Sequence, residues 1–115
     1  MTTSYYRIQP TTYAAEDLLV AENQISVSWR NGEDTRNGVS VCCSREELAA
    51  YLAQVGIPFE WTWNLVEVEG YPADEDDEDH ALGARLIIPT RIVSVESMTN
   101  GFADEIIAAY DAAQA

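Results

Sequence analysis

The sequence predicts an α+β domain, a small and mostly antiparallel sheet of about five strands with two amphipathic helices. Three observations carry that expectation. One helix is marked at both ends by its own capping residues, a second shows an apolar stripe, and the strand-like segments cluster late instead of alternating regularly with helices. With 115 residues, 47% of them hydrophobic, the chain is expected to form one domain over 1–115 with a core of its own.

Residues 4–9, SYYRIQ, combine aromatic and β-branched side chains and stop at Pro10, as a first strand does. The segment Ala14 to Leu19 suits a short helical turn that carries Leu18 and Leu19 inward. Residues 25–29 alternate as a strand, and Arg30 to Gly38, with Asn31-Gly32 and Asn37-Gly38, is expected to be a loop. Gly38 to Cys43 then forms a strand. Ser44-Arg45-Glu46-Glu47 is a capping box, in which the serine oxygen accepts from the Glu47 N–H and the glutamate reaches back. Leu48, Tyr51, Leu52 and Val55 recur at i, i+3, i+4 and i+7 on one face of the following helix. Gly56 and Pro58 end it.

Phe59, Trp61 and Trp63 lead into residues 64–70, where Val66 and Val68 alternate with Glu67 and Glu69, so that one strand face is buried and one wet. The run Asp74, Glu75, Asp76, Asp77, Glu78 and Asp79 is read as a solvated loop, because like charges repel in a compact arrangement. Arg85 to Ile88 and Arg91 to Glu96 are expected as two strands separated by Pro89-Thr90. Phe102, Ile106, Ile107 and Tyr110 have the spacing of an amphipathic C-terminal helix.

Twenty acidic residues stand against six basic ones, all arginine, for a formal charge of −14. The chain stays strongly negative without the 74–79 run. Such a surface repels phosphate backbones, which disfavours direct nucleic-acid binding, and it attracts basic protein surfaces. No apolar run approaches the roughly 20 residues of a membrane helix, and no signal-like N-terminus is present, so a cytoplasmic location is expected. The adjacent pair Cys42 and Cys43 is too close in sequence for an unstrained disulfide and reads as reduced thiols. Neither a zinc pattern nor a Gly-rich phosphate loop nor a nucleophile elbow occurs. The acidic run lacks the glycine and terminal glutamate of a calcium loop.

The stretch GVSVCCSREELAAYLA, a strand ending in serine followed by a helix, resembles the corresponding unit of small ADP-ribosyltransferase-like domains. The ending LIIPTRIVSVE is similar to the close of the same fold. That resemblance implies NAD as cofactor, gripped by Arg7, with Ser40 or Ser44 as the central polar residue. The family's catalytic glutamate falls near Gly83-Ala84-Arg85, where no acid stands, which leaves Asp79 or Glu69 as substitutes.

The leading expectation is non-enzymatic. Small size, negative charge and surplus aromatics fit a protein-interaction module whose partner is a basic protein. One form is an inhibitor encoded by a phage or mobile element that mimics nucleic acid and occupies a host protein's nucleic-acid-binding surface. The expected contact residues are Trp61, Trp63, Glu67, Glu69 and the run Asp74 to Asp79, with aromatic anchors beside an acidic strip. No metal or cofactor is required by this reading.

Overall fold

The computed structural model describes residues 3–27, 35–55, 63–73, 80–98 and 101–114. The described strands are β1 (Thr3–Pro10), β2 (Ile25–Val27), β3 (Thr35–Asn37), β4 (Val39–Cys42), β5 (Trp63–Pro72) and β6 (Ala84–Ser97). The helices are α1 (Arg45–Val55) and α2 (Phe102–Gln114), with a 3-10 helix over Ala15–Leu19. This is the α+β class the sequence predicts, antiparallel strands with two helices, but the main sheet curls shut. Strands β1, β4, β6 and β5 form a closed barrel, and β2 pairs with β3 in a separate ribbon.

The closure is uneven. β1 runs antiparallel to β5 over its whole length, from Thr3 opposite Gly70 to Pro10 opposite Trp63. Its other edge meets β4 at one pair, Tyr6 opposite Cys42. Beyond that pair the two strands part.

β6 departs most from the sequence expectation. The segments 85–88 and 91–96 are one continuous strand that passes through Pro89. Proline supplies no N–H, so a strand tolerates it at a bulge or an edge. Here the register of β5 on β6 slips between Glu69 and Gly70, and Pro89 falls at that slip with Thr90 as the extra residue. A second slip, between Glu67 and Val68, makes Val93 extra. Gly70 sits where the strands press together: a Cβ there would lie 2.5 Å from the Ile88 carbonyl oxygen. The Pro89 carbonyl accepts from Gln24 Nε2 at 3.2 Å, and the same nitrogen donates to the Leu18 carbonyl at 3.0 Å. One buried amide thereby ties the 3-10 helix to the bend of β6.

Two apolar cores result. Inside the barrel, Tyr5, Val39, Val41, Val66, Val68 and Ile87 pack together, with Ala15 and Leu18 of the 3-10 helix closing the space. Outside it, Cys42, Leu65 and Ala84 on the sheet meet Leu48, Tyr51 and Leu52 of α1 and Phe102 and Ile106 of α2. The period-2 alternation of β1 serves both cores, Tyr5 facing inward while Tyr6 and Ile8 face the helices.

Three finer expectations are corrected. The segment 30–38 is not all loop, because Thr35–Asn37 pairs with Ile25–Val27. Leu18 is 8% exposed as expected, but Leu19 is 40% exposed, since the 3-10 turn sets Ala15 and Leu18, three residues apart, on the barrel side and turns Leu19 away. On α2, Phe102 and Ile106 are buried while Ile107 and Tyr110 are 49% and 52% exposed. The helix packs along a narrower stripe than its apolar residues allow.

Candidate functional site

Two places in the described structure are candidate sites. The first is an acidic patch at the N-terminal ends of the helices. α1 starts as expected, with the Glu47 N–H donating to Ser44 Oγ at 3.1 Å. Glu46 and Glu47 lie in its first turn, and Asp104 and Glu105 in the first turn of α2. Arg45 draws the two helix ends together. Its Nε and Nη2 converge on Glu105 Oε2 at 2.7 and 2.6 Å, and its Nη1 lies 3.3 Å from Glu96 Oε1 on β6. The guanidinium also stacks over the Phe102 ring at 5.4 Å. These carboxylates hold the Arg45 pKa above its ordinary value, the Glu105 hydrogen bond chiefly.

Glu67 joins this patch from β5 and accepts from the Tyr6 hydroxyl, whose pKa is raised first by burial and then by the Glu67 charge, with Glu46 adding to it. Glu105 of α2 and Glu96 of β6 therefore hold the Arg45 guanidinium, Glu46 of α1 and Glu67 of β5 act with it on Tyr6, and Glu47 and Asp104 lie in the first turns of the two helices. The sequence reading missed the patch because Glu46, Glu96 and Glu105 are far apart in the chain. Their one local signal is acid in the first turn of each helix, where it complements the helix dipole.

Of the other expected contact residues, Glu69 is engaged by Arg91, Nε to Oε1 at 2.5 Å, and its side chain is 19% exposed. Trp63 opens β5, partly buried against the helix-side core. Trp61 and the run Asp74 to Asp79 lie outside the described residues, so a shared face with Trp63 or Glu67 is not part of the described geometry.

The second place is a cleft of about 200 Å³ where β1 and β4 part, roofed by α1. Arg7 and Ser40, paired by the sequence reading, meet at it, with Arg7 Nη1 3.5 Å from the Ser40 carbonyl oxygen. Arg7 Nε is buried and has no hydrogen-bond partner. Burial, with no opposing charge to offset it, pushes the Arg7 pKa down to about 10 from its ordinary higher value. The remaining lining is mostly apolar, Ile8, Val41, Cys42, Leu48, Leu52 and Trp63, with Tyr51 beside them. Ser44 is not brought to this cleft, since its hydroxyl caps α1. Glu69, offered as a substitute acid, lies opposite Ser4, three rungs from the Arg7–Val66 pair, and does not line the cleft.

Cys42 is buried in the helix-side core and Cys43 is exposed, and neither is in a disulfide. Among the described residues no group of His, Cys, Asp and Glu is placed to hold a metal ion. No helix among them is long and apolar enough to cross a membrane. No family model matches the chain, and neither does any curated protein or solved structure.

Proposed function

We propose that the chain is an acidic protein-interaction module that docks on the basic, nucleic-acid-binding surface of another protein, in the manner of an inhibitor that mimics nucleic acid. The observation that carries the reading is the patch around Arg45, where four elements present carboxylates on a chain of net charge −14. Two helix N-termini and two strands fix those charges relative to one another. An array of anions spaced by helix and strand backbones is what a groove built for phosphates recognises. Exposed Glu46, Glu47 and Asp104 have no ion pair among those described, so they are available to a cationic partner.

The test uses the tagged chain to capture partners from nuclease-treated lysate, followed by binding measurements on the purified pair. The reading expects affinity to fall by about tenfold or more between 50 and 200 mM salt. It expects duplex DNA or RNA to compete with the chain, and the triple variant Glu46→Gln, Glu47→Gln, Asp104→Asn to bind more weakly. A partner whose binding ignores salt, nucleic acid and these charges would overturn it, as would the absence of any stoichiometric partner.

A further inference from the structure

We propose that the cleft between β1 and β4 is a binding site for a small organic monoanion, a carboxylate carried on a compact apolar body. This inference stands apart from the partner-docking reading and rests on different residues.

The first argument is the state of Arg7. A guanidinium carries five N–H donors and a fixed positive charge, and a buried one is normally matched by a carboxylate. Among the described residues Arg7 has no such match. Its Nε is buried and unbonded, and its Nη1 makes one long contact of 3.5 Å to a carbonyl. The chain carries twenty acids, yet none of those described lines this cleft. An isolated cation held at a cavity wall is costly to the fold, and an anionic ligand would remove that cost.

The second argument is the shape and lining of the space. The strands separate just after the Tyr6–Cys42 pair, so the opening is built into the register of the barrel. Arg7 marks one wall, and Ile8, Val41, Leu48, Leu52 and Trp63 supply apolar surface around it. A cavity of about 200 Å³ is smaller than the roughly 300–1,000 Å³ of pockets for drug-sized ligands. It suits a single ring or a short branched chain. The third argument is the field of the whole molecule: at net −14, each further negative charge on a ligand adds repulsion, so a monoanion is favoured over a phosphate dianion or a dinucleotide.

The test is a titration of the isotope-labelled full chain by two-dimensional NMR. The probes are sodium benzoate, its neutral counterpart benzyl alcohol, phenyl phosphate and NAD. Benzoate is expected to move the backbone amides of Arg7 and Val41 and the Trp63 indole N–H saturably, and to bind at least about tenfold more tightly than benzyl alcohol. Arg7→Met should erase that preference, leaving the two probes within about twofold of each other. Ser40→Leu, which fills the cleft and keeps the charge, should weaken both.

Equal binding of benzoate and benzyl alcohol to the unaltered chain would overturn the proposal without reference to any variant. So would the absence of shifts at these resonances at about 10 mM benzoate. Tighter binding of NAD or phenyl phosphate at the same resonances would overturn the monoanion assignment in favour of a phosphate ligand.

Discussion

Arg45 at the start of α1 and Glu105 in the first turn of α2 are joined by two N–H groups converging on one carboxylate oxygen, at 2.7 and 2.6 Å. A cation at a helix N-terminus opposes the helix dipole, so Arg45 is there for its partners and not for α1 itself. It is the clasp between two helices that have little other polar contact described. Arg45→Ala should therefore destabilise the fold by about 1 kcal/mol, allowing for partial solvent exposure of all three side chains. That corresponds to a drop of about 4–8 °C in melting temperature. Calorimetry in low and high salt checks it, since the loss should shrink as salt screens the pair.

Arg7 leads to the opposite expectation. Because its folded pKa of about 10 lies below that of the unfolded chain, the unfolded state binds the proton more tightly. Its contribution to stability is thus unfavourable at neutral pH and is relieved as pH rises through about 10 and beyond. Arg7→Met should stabilise the unliganded chain at pH 7 by about 1–2 kcal/mol. Denaturant unfolding at pH 7 and at pH 10.5 tests the sign: the advantage of the variant should narrow at the higher pH.

Gly70 is constrained by contact, not by its own dihedrals. Gly70→Ala would press a methyl group against the Ile88 carbonyl, which belongs to the backbone of the longest strand and cannot swing aside. A loss of about 1–3 kcal/mol is expected, read as a lower urea midpoint with unchanged slope.

Gln24 offers a similarly local test. Gln24→Leu keeps the bulk of the side chain but removes the donor shared by the Leu18 and Pro89 carbonyls. Two acceptors lose their partner, and about 1–3 kcal/mol should be lost. Hydrogen exchange should quicken in the 3-10 helix before it quickens in β5.

How much of this was legible in the chain depends on the range of the interaction. The capping serine, the α1 stripe and the β5 alternation are local patterns, and the structure reproduces them at Ser44, Leu48 to Leu52 and Val66 to Glu69. The continuity of β6 was not legible, because Pro89 is a strand breaker unless a bulge and a distant glutamine accommodate it. Arg7 and Ser40 could be picked out by type and resemblance, but that they meet at a gap follows from the barrel register, which no single segment encodes. The acidic patch was hidden in the same way: its carboxylates are scattered in sequence and gathered only when both helices start at one place.

The pairing of β1 with β5 also sets a timetable. Thr3 has no hydrogen-bonded neighbour until Gly70 has been made, and the barrel cannot close before β6 follows. At about 5–20 residues per second, a ribosome leaves the first strand waiting for several seconds. During that interval Tyr5 and Ile8 have no core to enter, and pairings this distant in the chain form slowly. Abundant negative charge keeps such nascent chains apart, so the acidity that shapes the mature surface also protects the chain while it is being built.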